Sequence, residues 1–140
     1  MKTQRLSLSK IGVIGVPYNT GSKGENIEKG AESLRNAGIV NVLKRFSTVT
    51  DFGDLTVALP PADCSNPKLL KPNQVEVLCR ALADRAKTAV AADCLPFIVG
   101  GDCSVLMGAI EGVRSLNQSF GLVYMGAHEI RTLPKPRLRE

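Results

Sequence analysis

Two short stretches of this chain hold the residue types that could ligate a cation or attack a carbon centre. Ile98-Val-Gly-Gly-Asp-Cys-Ser104 is an apolar run that ends in two glycines, followed by a carboxylate, a thiol and a hydroxyl. Tyr124-Met-Gly-Ala-His-Glu-Ile130 contains the chain's one histidine, His128. Cys103 and His128 are therefore the candidate metal ligands. Imidazole nitrogen suits transition-metal cations, whereas a thiolate selects softer ions than manganese. They are also the one available thiol–imidazole pairing, and a thiol just ahead of a helix start can have its pKa lowered. Structural roles for the same residues are expected beside these. Asp102 can accept hydrogen bonds from backbone N–H groups of its own turn, and Cys103 can be a buried, inert thiol. Asp51 and Asp54 are read as braces for loops rather than as catalysts. The Gly21–Gly24 loop could accept a substrate carboxylate, beside its default reading as a flexible surface loop.

The elements that would position these residues follow from pattern and punctuation. Residues 10–16 (KIGVIGV) form a short β-branched run stopped by Pro17, which predicts a buried strand. Further strands are predicted at 47–52, 95–99 and 120–125. Ile27, Ala31 and Leu34 fall at helical spacing up to Gly38, which can end that helix. Pro72 suits a helix start. Val75, Leu78, Leu82, Ala86 and Ala89 mark one apolar face of a helix running to about residue 92. Ser104 is placed to cap a helix reaching about residue 116. Residues 55–71, with Pro60, Pro61 and Pro67, form an irregular connection. The β–α–β–α–β–α–β order predicts an α/β fold of three αβα layers around a mostly parallel sheet. In such a sheet the site lies beyond the carboxyl ends of the strands, near residues 17–24, 53–54, 100–104 and 126–130.

Three of those four strand ends resemble signatures of the ureohydrolases, the arginase/agmatinase/formimidoglutamase family. Ile98–Ser104 is similar to the family's Gly-Gly-Asp-His-Ser, and Tyr124–Ile130 to its Asp-Ala-His-x-Asp. Gly15-Val-Pro17, Gly30-Ala-Glu-Ser-Leu-Arg35 and Asp51-Phe-Gly-Asp-Leu55 also resemble its amino-terminal half, in the family's order, over residues 10–129. The resemblance implies descent from a manganese-dependent hydrolase. Two Mn²⁺ ions would ionise a bridging water for attack on a guanidino or amidine carbon. Implied substrates of an intact relative are arginine, agmatine, guanidino acids and formimidoglutamate. The resemblance also marks what differs here. Cys103 stands at a ligand histidine, Gly126 at the aspartate that bridges the metals, and Ile130 at a further aspartate, while His128 is unchanged. The remaining aspartates and the catalytic His and Glu belong to the family's second half. The chain is therefore expected to be an incomplete, inactive ureohydrolase domain. The alternative is a non-catalytic binding or oligomerisation module of the same fold. A nucleotide-binding doubly wound domain fits less well, because Gly12-Val-Ile-Gly15 followed by Pro17 lacks the Gly-x-Gly-x-x-Gly turn.

Composition narrows the remaining classes. The chain has 140 residues, 44% hydrophobic and 22% charged, which suits one globular domain. Four Phe, two Tyr and no Trp argue against a base-stacking nucleic-acid surface. No apolar run nears the roughly 20 residues that span a bilayer, and residues 1–10 lack a signal core, so a cytoplasmic location is expected. The net charge of +5 is concentrated in the last ten residues, which carry +3 of it through Arg131, Lys135, Arg137 and Arg139 against Glu140. Residues 1–129 are taken as the domain and 130–140 as a basic, irregular tail. Loss of one nucleotide after Glu129 would make that tail an out-of-frame reading, since permitted codons restore an aspartate two residues after His128. Cys64, Cys79, Cys94 and Cys103 contain no Cys-x-x-Cys pair, so a structural zinc site is not expected. Reduced, mostly core thiols are. A parallel sheet ending at its fourth strand leaves an apolar edge, which predicts homo-oligomerisation or self-association.

Overall fold

The computed structural model describes residues 10–66, 68, 70–116 and 119–126. β1 (Lys10–Gly15) is the middle strand of a three-stranded parallel sheet ordered β2-β1-β3, with β2 at Thr48–Asp54 and β3 at Leu95–Val99. Its central place explains its composition. Val13, Ile14 and Val16 have no exposed surface, as a strand covered on both faces requires. Between β1 and β2 run a 3₁₀ turn (Ile27–Lys29), α1 (Gly30–Asn36) and α2 (Ile39–Lys44). α3 (Pro72–Ala91) joins β2 to β3, and α4 (Val105–Arg114) follows β3.

The chain moves to one side of β1 for β2, then back past β1 for β3. Crossovers of the same right hand therefore lie on opposite faces of the sheet. α3 covers the face to which Gly12 and Ile14 point: a Cβ on Gly12 would meet Ala89 and Cys94 at 3.2 and 3.1 Å. Val13 points the other way and is also fully buried, so the second face of the sheet, where a right-handed crossover places α1 and α2, is covered too. This is the three-layer αβα arrangement expected from the sequence. Its core joins Ile14, Val16, Leu55, Leu78, Leu82, Ala89 and Cys94.

α3 begins with Pro72 in its first turn, and Leu78, Leu82, Ala86 and Ala89 of the predicted stripe are buried, with Val75 half-buried at the end of the stripe. Gly38, at φ 86°, ends α1 and also starts α2, a helix not foreseen in the sequence. The predicted strand at 120–125 does not form: these residues are irregular, with Val123 88% and Met125 81% exposed. The run is short and carries Gly121, which contributes no side chain to packing. No described helix covers it. Among the described residues, β3's outer edge consequently has no partner strand. The tail at 130–140 lies outside the described residues. No helix among those described is long and apolar enough to cross a membrane.

α3 and α4 meet through two glycines one turn apart. A Cβ on Gly108 would lie 2.8 Å from the Cys79 carbonyl oxygen, and one on Gly112 would lie 2.6 Å from that of Ala83. Gly112→Ala is expected to lose about 1–2 kcal/mol. The overlap costs about 1–3 kcal/mol and better helix propensity returns up to about 1. Urea unfolding measures it against Gly121→Ala, whose added methyl meets nothing within 4 Å. Equal midpoints for the two variants would refute the close helix contact.

Candidate functional site

The β3–α4 turn is built on two glycines in the left-handed region, Gly100 at φ 86° and Gly101 at φ 76°. Gly100 passes directly over the start of α1: a Cβ there would sit 2.8 Å from the Ala31 Cβ and 2.9 Å from its Cα. Gly101 passes the Val16 and Tyr18 carbonyls in the same way. The next residue, Asp102, is 4% exposed. One of its oxygens accepts the Thr20 and Gly21 N–H groups at 2.6 and 2.8 Å, and the other accepts the Ser104 N–H at 2.8 Å. Burial alone would raise this carboxyl's pKa. Hydrogen bonds from the Ser104 hydroxyl and from the Gly21, Ser104 and Thr20 N–H groups outweigh burial and hold it below the ordinary carboxylate range.

Asp102 is thus the structural group expected from the sequence, with a longer reach than its own turn. It ties the loop after β1 to the loop after β3. Of the Gly21–Gly24 loop read as a place for a substrate carboxylate, the Gly21 N–H is committed to Asp102 and the Gly24 N–H to the Ser22 hydroxyl. Ser104 precedes α4 but makes no side-chain cap hydrogen bond, contrary to the capping role expected of it. Its hydroxyl lies 3.5 Å from that of Thr20 and is used inside the turn.

Asp51 and Asp54 brace rather than catalyse. Arg35 on α1 forms a two-pronged pair with Asp51 and donates from Nε to Asp54 at 2.9 Å. The guanidinium hydrogen bond is the main cause holding the Asp51 carboxyl below its usual range, against some burial and with help from the Gly53 N–H. The same bond raises the Arg35 pKa. Gly15 is needed here, because a Cβ would run into the Asp54 carboxyl. The sequence put Arg35 and both aspartates in similar family segments. Their pairing required knowing that α1 packs beside the end of β2.

Cys103 is exposed, which corrects the expectation of a buried thiol. Its neighbours Asp102 and Ser104 take the two inward positions of the turn and turn it outward. Of the four cysteines only Cys94 is buried, Cys79 is half-buried, and Cys64 and Cys103 are exposed; all four are free thiols. Burial, chiefly, raises the Cys79 pKa. The Cys103 Sγ meets the Tyr124 hydroxyl at 3.5 Å, and this contact is the first cause of a raised Tyr124 pKa. The Tyr124 ring also folds back over Gly126, where a Cβ would lie 2.6 Å from Cζ. One half-exposed phenol therefore touches both positions 103 and 126. His128, the other candidate ligand, lies outside the described residues. Among the described residues no three His, Cys, Asp or Glu side chains converge in a way that could hold a metal ion.

The arginase family model matches residues 9–132. The chain belongs to the arginase family. It is 31% identical over 130 residues to non-hepatic arginase 1 of Xenopus laevis, covering 91% of this chain and 36% of that protein. It is 30% identical over 119 residues to human arginase-1, covering 84% and 37%. Among solved arginases, that of Bacillus caldovelox superposes with a TM-score of 0.67 at 26% identity, covering 77% of this chain and 37% of that one. The Entamoeba histolytica enzyme, solved with L-ornithine, gives 0.65 at 28%, covering 76% and 36%. This arginase-family chain spans little more than a third of the length of the curated relatives it matches. The ureohydrolase resemblance and the αβα architecture thus agree with sequence and fold comparisons alike.

Proposed function

We propose that this chain is the amino-terminal portion of an arginase-type ureohydrolase fold and that its 140 residues alone do not hydrolyse a guanidino substrate. In intact relatives, on this reading, two manganese ions supply a bridging hydroxide that attacks a guanidino or amidine carbon. The donors present here do not fit such a pair. The Asp102 carboxylate is fully used by backbone N–H groups, Cys103 offers a soft thiol, and Gly126 offers nothing. One observation carries the reading: the Tyr124 ring lies against both Cys103 and Gly126, the two positions at which the family's signatures carry a histidine and an aspartate ligand. No hydrolytic step is assigned to these residues.

The expected result is no manganese-dependent release of urea from arginine or agmatine by the purified chain, under conditions in which an intact arginase turns over. Electron paramagnetic resonance of added Mn²⁺ should give the free-ion spectrum. Manganese-dependent turnover, or a tightly bound spin-coupled pair, would overturn the proposal. Any ion held through His128 and Cys103 would be a single, softer one. The second reading, a non-catalytic module that associates with a copy of itself or an intact relative in the cytoplasm, is favoured by the exposed apolar run at 120–125. Co-purification with an intact arginase tests it.

A further inference from the structure

Ser47 is the one serine or threonine in the chain with a basic residue at both the second and the third position before it, Arg45 and Lys44. The fold leaves that pair available. α2 ends at Lys44, and Lys44, Arg45 and Phe46 are all exposed, Phe46 by 78%. Neither cation forms an ion pair among the described residues. Ser47 is half-buried at the point where the turn after α2 opens into β2. Among the described strands β2 has β1 as its one partner, so Ser47 leads onto a free sheet edge. Few bonds hold the turn: the Phe46 and Ser47 N–H groups donate to the Leu43 carbonyl at 3.0 and 3.1 Å, and the Arg45 N–H to that of Val42 at 3.1 Å. α2 has six residues, too few to be stable by itself, so this corner can open locally at small cost. Thr88, with Arg85 three residues before it, is the contrasting case. Arg85 is engaged with the Phe52 carbonyl at 2.8 Å, and Thr88 is helical. Opening that end of α3 would expose Ala89 and Cys94 of the core.

We propose that Ser47 is a phosphorylation site for a serine/threonine kinase whose peptide groove is acidic. Such a groove reads Lys44 and Arg45 through charge-assisted hydrogen bonds and takes the acceptor segment in extended form. That form continues β2 backwards, so only the turn has to yield. In the transfer the Ser47 Oγ bonds to the γ-phosphorus of ATP, and the bond from that phosphorus to the oxygen of departing ADP breaks. The hydroxyl proton passes to the kinase's catalytic carboxylate. The phosphate brings a charge of about −1.5 to −2, which offsets that of Lys44 and Arg45. The site lies at the amino-terminal end of β2, across the sheet from Asp102 and Cys103 at the carboxyl end of β3. It is independent of whether the chain is catalytically active.

Incubation of the whole chain with MgATP and the catalytic subunit of cyclic-AMP-dependent kinase, which selects basic residues at these two positions, tests it. One phosphate should be added, and tandem mass spectrometry should place it on Ser47. Ser47→Ala should not be labelled. Arg45→Gln should lower kcat/KM roughly tenfold or more, through the loss of one hydrogen-bonded charge. That side chain is exposed, so far-UV circular dichroism should be unchanged, and this variant reads the site even if Ser47→Ala disturbs the turn. A peptide of residues 41–52 is the reference. A labelled peptide beside an unlabelled folded chain would overturn the proposal, because the corner would then be closed to the kinase. So would an unlabelled peptide, or phosphate placed on Thr48, Thr88 or elsewhere instead of Ser47.

Discussion

Gly100→Ala should remove about 3–4 kcal/mol of stability, a large share of the 5–15 kcal/mol typical of a domain. Two effects add. A residue with a Cβ pays about 1–2 kcal/mol in the left-handed region that Gly100 occupies at φ 86°. Its methyl would also be driven into the backbone and Cβ of Ala31, where neither element can give without breaking the contact between α1 and the β3–α4 turn. Gly38→Ala separates the two, since Gly38 has the same φ of 86° but open space around it. It should show the conformational cost alone. Denaturant midpoints for the pair give the answer. A Gly100→Ala variant no less stable than Gly38→Ala would remove the steric part of the argument.

Asp102→Ala is the second large effect, expected at about 3 kcal/mol or more. Three backbone donors, Thr20, Gly21 and Ser104, lose their acceptor together. Each buried orphan costs about 1–3 kcal/mol, with water able to re-satisfy only the less buried Gly21. The loop after β1 should come free of the β3–α4 turn, which amide hydrogen exchange at Thr20 would register.

The same carboxylate gives stability a defined acid limb. Its folded pKa lies below the value of about 3.9 in an unfolded chain. Its contribution is therefore complete above that value and lost as pH falls towards and through the folded pKa. In Asp102→Asn the slope of unfolding free energy below about pH 4 should be shallower, the remaining slope coming from groups such as Asp51. An unchanged acid slope would mean that Asp102 does not carry the charge assigned to it.

Much of this could be read from sequence because the signals were local. The run KIGVIGV before Pro17, the Leu78–Ala89 stripe and the Gly100-Gly101 pair state their own conformations. The alternation of strand and helix patterns supplied the layer order, since a mostly parallel sheet must be covered on both faces by helices. What escaped depended on tertiary approach. α2 is six residues of mixed pattern, and its start depends on the left-handed Gly38. Gly108 and Gly112 read as neutral helix residues until α3 lies against them. Cys103 looked like a core thiol because its neighbours' claim on the interior is made by Thr20 and Gly21, some eighty residues earlier in the chain. The 120–125 run failed for the opposite reason: its pattern was correct for a strand, but a pattern cannot supply the neighbour that a strand must pair with.

The position of β1 has a consequence for synthesis. Among the described strands the first to leave the ribosome is the middle one of the sheet, and both its neighbours are made later. β2 can pair with it early, but roughly 45 residues separate the end of β2 from the end of β3. At about 5–20 residues per second that interval is a few seconds. Throughout it, one edge of the most buried of the described strands is open to solvent and to other nascent chains. Chaperone demand should accordingly peak while α3 is being translated and fall once Val99 has emerged.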